Sequence, residues 1–432
     1  MMMRGEESTL EIKHREKESF LGTGHEGLAI KSLSPVIWWV IVVNTLFRIT
    51  RYMVVPFLAL YMSAHTHASP GIIGLVIGVQ AVTAAGSGFF AGTIADRFGR
   101  KIVMVSAMWI SAISLTGFAL AQSVPAFFVL SALNGLTFSV FDPAAQAALT
   151  DVVSAENLGT VFSIRYWSSN VGAGIGPILG GVLGISMVGW PFFLAGFLNL
   201  VAGLVVWKSF SDPVRKLQVG QQVKFRFQKA IQILFTDKAL LLFLAATILV
   251  YAGYSQLSTT LPQYMRGQFG VSAGIMDYTM VFTLNPIAIL LLQLPMTKVV
   301  HRMGTVRIQM VGQVLFAIGY FAFALSSTLW EFLFAMFLVT LGEMMVFPTN
   351  SGYIANLASE RYRATYFGFY SLRSVGSFLG PWIGGIIFAA TSGKTVFLVV
   401  SITALFTVIL YPVSHAFHKA KLSSRAHIDV QE

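Results

Sequence analysis

Twelve stretches of mostly apolar residues run through this chain, each long enough to cross a lipid bilayer, and they constrain its fold more than any other feature. A membrane-crossing helix needs about 20 such residues. The stretches lie near 35–62, 71–93, 101–121, 124–149, 160–184, 190–208, 239–262, 276–299, 307–327, 329–355, 364–389 and 395–417. Composition points the same way. Hydrophobic residues make up 55% of 432, charged residues 11%, and the mean hydropathy is +0.72. A soluble domain carries about a quarter charged residues, so a chain this poor in charge must be covered by lipid. Phenylalanine, at 36 residues, suits a lipid-facing surface and a packed membrane interior. The absence of cysteine excludes disulfides, thiolate metal sites and cysteine nucleophiles.

The formal net charge of +11 resembles a nucleic-acid signature until the charges are placed. With both termini cytosolic, 23 Lys/Arg fall in cytosolic segments and two, Arg266 and Lys394, outside; Arg48, Arg51, Arg165 and Arg373 fall within or at the ends of spans. That asymmetry is the positive-inside signal and calls for no nucleic-acid partner. Residues 1–34 are mixed-charge and lack an apolar core or cleavage site, so they read as a cytosolic tail rather than a signal peptide. The expected organisation is a six-helix bundle over 35–208, a cytosolic connector over 209–238, a second six-helix bundle over 239–417 and a cytosolic tail over 418–432. In the connector, Lys224, Arg226 and Lys229 alternate with Phe225, Phe227 and Ile231, as in a helix lying on anionic headgroups.

The two bundles are related. GAGIGPILGG (Gly172 to Gly181) returns as GSFLGPWIGG (Gly376 to Gly385) at an offset of 204, and Pro143 matches Pro348 at an offset of 205. The offset of 205 also aligns ADRFGRK (Ala95 to Lys101) with VHRMGTV (Val300 to Val306). A duplicated six-helix unit is the sequence trace of many transporters, with the substrate site between the halves.

GTIADRFGRK (Gly92 to Lys101), on the turn between the second and third spans, resembles motif A of the major facilitator superfamily, with Ile94 in the leucine position. GxxxGPxxGG in the fifth span resembles motif C of its drug:proton antiporter branch. The resemblance covers the whole membrane domain. It implies an all-α membrane protein of twelve transmembrane helices in two pseudo-symmetric six-helix bundles, the major facilitator fold. It also implies that Gly92, Asp96, Arg97, Gly99, Arg100 and Lys101 form a cytosolic gate. Asp96 would dock at the start of the eleventh span near Thr365, and Arg100 would reach Asp151. In the second half His301 and Thr305 stand where Asp96 and Arg100 do, so that gate is one-sided. Gly172, Gly176 and Gly180 recur every four residues and form a smooth stripe for close helix packing. Pro177 removes an amide donor, and Gly181 completes the motif.

Ionisable groups inside the membrane are functional candidates by default. Asn44, Arg48 and Arg51 fall at i, i+4 and i+7 of the first span and are expected to share one face lining the central cavity. The arginines are fixed cations, and Asp142 in the fourth span is their expected counter-charge. The resemblance fails here, because Ser131 occupies the place where motif B puts an arginine. The second half offers Glu343 and Arg373. A carboxylate that alternates between cation-lined and desolvated settings binds and releases a proton, so Asp142 and Glu343 are the coupling candidates. Glu343 has fewer fixed cations near it in sequence. Gln80, Trp167, Tyr251, Tyr254, Gln256 and Asn285 are expected substrate contacts, and Asn285-Pro286 and Pro348 expected kinks.

The expected function is proton-coupled efflux of small lipophilic or amphipathic compounds across a bacterial inner membrane. The alternatives are a transporter of an anionic solute (a carboxylate, phosphate or peptide-like compound) bound by central arginines, and a lipid flippase. The chain shows no HExxH, Walker A or paired metal-ligand histidines, so no enzyme, metal or cofactor is expected beyond the proton gradient. The expected partners are a small-molecule substrate, protons and membrane lipids, bound by a monomer.

Overall fold

Lipid offers a backbone no hydrogen bonds, so each passage has to be a helix. The computed structural model describes residues 34–153, 158–184, 189–210, 234–358 and 363–429. The fourteen helices that build the membrane body make twelve passages. The first half holds α1 Pro35–His65, α2 Pro70–Phe98, α3 Arg100–Leu120, α4 Val124–Val152, α5 Leu158–Gly184 and α6 Trp190–Ser209. The second half holds α7 Lys238–Tyr254 and α8 Gln256–Phe269 in one passage, α9 Val271–Met303, α10 Thr305–Leu325 and α11 Leu329–Leu357. It continues with α12 Arg363–Tyr370 and α13 Arg373–Ala390 in one passage, and then α14 Gly393–Asp429. Eleven passages are apolar enough to cross a membrane by composition alone. The twelfth, α5, has 27 residues and carries Arg165, Ser168, Ser169 and Asn170 in its first half. The connector residues 211–233, with Lys224, Arg226 and Lys229, and residues 1–33 lie outside the described residues.

Local chemistry sets the turns. Ser34 and Ser69 cap α1 and α2 by accepting from Val36 N and Ile72 N, each just ahead of a proline in the first turn. Gly99 and Gly304 take φ of 87° and 75° at the α2–α3 and α9–α10 turns, which only glycine adopts cheaply. They are 205 residues apart, so the repeat in sequence is also a repeat in turn geometry. The interruptions fall away from the expected prolines. α9 and α11 run unbroken through Pro286 and Pro348, while the seventh passage breaks at Ser255 and the eleventh at Ser371–Leu372. α14 continues past 417 to Asp429.

The glycine stripes fasten each half. A Cβ added at Gly172 would meet Arg48 Cβ at 2.8 Å, at Gly176 Tyr52 Cβ at 2.7 Å, and at Gly180 Phe57 Cε2 at 2.6 Å, so α5 lies directly on α1. Gly376, Gly380 and Gly384 seat α13 on Ile248, Ala252, Ser255 and Gln256 in the same way. The final glycine of each motif faces the other half. A Cβ at Gly181 would strike Thr279 of α9, and one at Gly385 would strike Pro70 and Gly71 of α2. Gly74 and Gly78 press on Pro381 and Phe378, and Arg266 donates to Ser63 Oγ at 2.7 Å. These contacts all lie on the side away from the chain termini. Toward the terminal side, Gly86, Gly88 and Gly352 face open space. The halves are therefore closed at the far side, and at mid-depth the side chains of Arg48 and Asp142, 20% and 31% exposed, mark a cleft.

A second fastening holds the terminal end of the second half. Asp237 caps Leu240 N at 3.1 Å and accepts 2.6 Å bonds from Lys421 Nζ and Tyr366 OH, tying together the starts of α7 and the eleventh passage and the end of α14. Burial alone would raise the Asp237 carboxyl, but its bonds to Lys421, Tyr366 and the Leu240 amide outweigh that and hold it below the usual carboxylate range.

Two predictions follow from these contacts. Overpacking a close contact costs about 1–3 kcal/mol, which moves a two-state equilibrium about 5- to 150-fold. Gly181→Leu or Gly385→Leu is therefore expected to part the halves at the far side. Spin–spin distances would read this directly, because the chain has no cysteine of its own to compete for labels. Because the Asp237 carboxyl is depressed on folding, its stabilisation is complete above the unfolded value of about 3.9 and is lost as pH falls through the folded value. Asp237→Asn should cost about 1–2 kcal/mol at neutral pH, a range that discounts for the 37% exposure of Lys421. Thermal melts should show that deficit closing in acid.

Candidate functional site

The cleft has two chemically different walls at mid-depth. On the first-half wall, α1 presents Arg48, α4 presents Asp142 and α5 presents Arg165. Arg48 Nη2 lies 2.7 Å and Arg165 Nη2 2.8 Å from the same Asp142 oxygen, Oδ1. Arg165 also donates to the Asp142 carbonyl at 3.4 Å. Asn44, one turn before Arg48, donates to Ser169 Oγ at 3.1 Å, and Ser169 in turn donates to the Arg165 carbonyl. Two guanidiniums on one carboxylate leave this wall net positive.

Arg51 does not join that cluster. Its guanidinium lies 3.9 Å over the Phe138 ring, and it shares a small cavity with Thr50, Ser111, Asn134 and Thr137 inside the first half. The i, i+4, i+7 spacing therefore spreads over two faces of contact, with Arg48 toward α5 and Arg51 toward α3 and α4. Arg48 also approaches Phe138, at 4.8 Å.

The second-half wall holds its acid with neutral groups. Glu343 Oε2 accepts from Asn285 Nδ2 at 2.6 Å and from Tyr254 OH at 3.0 Å, and Asn285 Nδ2 also reaches Thr340 Oγ1 at 3.1 Å. Among the described residues Glu343 has no ion-pair partner. Tyr254 and Tyr251 each sit 5.0 Å from the Phe347 ring, Tyr251 stacked on it and Tyr254 edge-on. Arg373 lies over Tyr370 at 4.3 Å and Tyr251 at 5.7 Å, and donates to the Tyr370 carbonyl. Both helix breaks adjoin this wall, Ser255 following Tyr254 and Leu372 preceding Arg373. Interrupted helices at mid-membrane depth are the usual architecture of transporter binding sites.

Several residues read from sequence as substrate contacts have other surroundings. Gln80 is 5% exposed and lies against α4 at Gly135. Gln256 is 2% exposed, bonds to Ala252 O and Thr260, and forms the surface on which Gly384 packs. Trp167 is 60% exposed on α5, two residues beyond Arg165.

From sequence Arg165 is one charge in a span with no partner; the structure makes it the second cation on Asp142. Arg165 and Gly172 are seven residues apart and share a face of α5, and it is the packing of Gly172 on Arg48 in the structure that brings Arg165 to Asp142.

At the terminal end of the first half, Arg100 pairs with Asp151 at 3.0 Å. Arg97 lies over Phe98 at 5.6 Å and Lys101 over Trp207 at 5.3 Å. The environment of Gly92 and the side chains of Asp96, His301 and Thr365 lie outside the described residues. Among the described residues, no group of three His, Cys, Asp or Glu could hold a metal.

Ionisable groups on both walls of a cleft inside a membrane body are the usual setting of a transport site. Comparison with known proteins agrees. The family model described as "Major Facilitator Superfamily" matches residues 40–371 and 246–428. The MFS-type transporter YqjV of Bacillus subtilis (strain 168) is 29% identical over 398 residues, 92% of this chain and 97% of its own. A Na(+), Li(+), K(+)/H(+) antiporter of Planococcus maritimus is 27% identical over 76% of this chain and 84% of its own. Multidrug resistance protein MdtG of Enterobacter lignolyticus (strain SCF1) is 25% identical over 83% and 86%. In three dimensions the chain resembles the nucleoside transporter NupG, with a TM-score of 0.77 at 16% identity over 88% of this chain and 99% of that one. This chain belongs to the major facilitator superfamily of membrane transporters.

Proposed function

We propose that the protein exports small lipophilic or amphipathic compounds in exchange for protons, with Glu343 carrying the proton and both termini in the bacterial cytoplasm. One observation carries this reading: Glu343 is held by Asn285 and Tyr254 without a cation, whereas Asp142 is shared by two arginines. The charge of Asp142 is compensated in place, and protonating it would release two guanidiniums into a low-dielectric site. Protonating Glu343 removes a charge that no cation among the described residues neutralises. Asp142 is thus the structural ion and Glu343 the exchanging one.

The proposed cycle runs as alternating access between the two sides. With the terminal side open, Glu343 gives its proton to the cytoplasm and substrate settles against Tyr251, Tyr254 and Phe347, whose rings accept apolar ligands with little demand on orientation. When the halves rock to open the far side, the glycine contacts at Gly181 and Gly385 part. Substrate leaves and Glu343 takes a proton from outside. The likeness to MdtG and to the Planococcus antiporter supports both export and exchange.

A second reading has its own support. Arg48 and Arg165 share one carboxylate, so the first-half wall carries excess positive charge. Guanidinium pairs well with carboxylates and phosphates, and a substrate with an anionic end would meet this wall.

In proteoliposomes, Glu343→Gln is expected to abolish substrate-driven proton flux while substrate exchange without a gradient continues. Asp142→Asn is expected to lower folded yield and melting temperature, because it strands two partly buried cations, at about 3–5 kcal/mol. Unchanged proton-coupled transport in Glu343→Gln would remove the acid from its role. A panel of lipophilic cations and neutral drugs run beside a panel of carboxylates decides between the substrate classes. Phe347→Ala should weaken a lipophilic substrate about tenfold, as expected for an aromatic contact of about 1.4 kcal/mol, and leave a small carboxylate unaffected.

A further inference from the structure

A file of polar side chains runs through the core of the second half, apart from the cleft. Gln309, Gln313, Asn350 and Thr407 are each 0% exposed and Tyr411 1%. Asn350 Oδ1 accepts from Gln309 Nε2 at 2.9 Å and from Tyr411 OH at 3.3 Å. Toward the terminal side the file continues as Tyr353 OH to Ser414 Oγ at 2.9 Å and Ser414 to the Ala239 carbonyl, two residues from Asp237. Toward the middle of the membrane, Thr407 donates to Gln313 Oε1 at 2.9 Å.

The upper end of the file is unfinished. Gln313 Nε2 has no partner, and neither has the hydroxyl of Tyr320, which is 2% exposed. The amide also lies beside the Tyr411 hydroxyl, which is already bonded to Asn350, so in this orientation Nε2 makes no hydrogen bond of its own. Gln313 and Tyr320 line a cavity of about 10 Å³ whose remaining walls are Leu249, Val250, Gly253, Phe316, Val400 and Ala404. A water molecule needs a cavity of about 10–15 Å³ on this measure, together with two or more polar partners. No carboxylate lines the cavity, so it is not built for a cation.

We propose that this cavity binds one ordered water, held between the Gln313 amide and the Tyr320 hydroxyl. Water both donates and accepts, so it satisfies either orientation of the amide. The site also has a mechanical neighbour. Tyr320 stacks on Phe316 at 5.7 Å and an interplanar angle of 5°, Phe316 meets Tyr254 edge-on at 6.5 Å, and Tyr254 OH is a donor to Glu343. The water thus seats Tyr320, and Tyr320 is a positioning residue for the hydroxyl that holds Glu343. Only this last link rests on Glu343 as proton carrier; the water site stands without it.

X-ray hydroxyl-radical footprinting of the full chain tests the site, because radiolysis of a bound water modifies the side chains that hold it. Tyr278 is the internal reference, a fully buried tyrosine whose hydroxyl is bonded to the Leu257 carbonyl. Tyr320 should be modified severalfold faster than Tyr278 and fall to the same rate in Gln313→Leu. Equal rates in the unmodified chain would overturn the water site, with no need for the variant to fold. Tyr320→Phe should shift the pH profile of substrate-driven proton flux at unchanged substrate affinity, and an unshifted profile would overturn the positioning role. Glu343→Gln should leave Tyr320 footprinting intact, so failure of the coupling reading and failure of the water site give different results.

Discussion

Apolar side chains gain nothing by leaving lipid for one another, so helices in a membrane associate through close backbone packing and internal polar bonds. The two GxxxGPxxGG stripes supply the first. Each seats one helix of its half on another, α5 on α1 and α13 on α7 and α8, with no room for a β-carbon at Gly172, Gly176, Gly180, Gly376, Gly380 or Gly384. The last glycine of each stripe turns from this internal contact to one between the halves. One motif therefore does two jobs, rigid packing inside a bundle and a separable contact between bundles. The separation falls at one residue, between Gly180 and Gly181 and between Gly384 and Gly385.

The internal polar bonds divide the halves that the repeat would make equal. The first half resolves its charge as ion pairs, Arg48 and Arg165 on Asp142, with Arg51 laid on Phe138. The second half resolves its acid with an amide and a phenol, and lays its arginine on two tyrosines. The backbone carries the same division. The first-half helices run unbroken past their charges, whereas the seventh and eleventh passages break beside theirs.

The fold was legible in the sequence because its determinants are one-dimensional. Apolar length gives the passages, glycine spacing gives the stripes, and the 205-residue offset returns as the paired turns at Gly99 and Gly304. The Arg48–Asp142 and Arg100–Asp151 contacts were also within reach, since few groups of opposite sign lie at matching depth. Arg165 was not, because its role depends on which face of α5 the glycine stripe turns toward α1. Gln256 reads as a cavity residue because polarity in a span signals function, yet its amide bonds to Ala252 O and Thr260 and packs against Gly384, whereas the buried Gln80 amide has no partner among the described residues. The breaks at Ser255 and Ser371–Leu372 carry no proline and left no mark in the pattern.

Under the proposed exchange of a compound for protons, that asymmetry gives the two halves different tasks. Had both halves kept an arginine-paired acid, every carboxylate in the cleft would stay charged through the cycle and no proton would move. Had neither kept one, the arginines of α1 and α5 would face the bilayer interior uncompensated, and the first half would lose the ions that fix α1, α4 and α5 together. Locking one acid between two arginines frees the other to be held by groups that tolerate either of its protonation states. Asn285 and Tyr254 are such groups. Both donate to a carboxylate, and the amide oxygen and the phenol oxygen can each accept from a protonated one. The rigid charges of the first half give the cleft its field, and on the proposed cycle the neutral donors of the second half let one group within that field change.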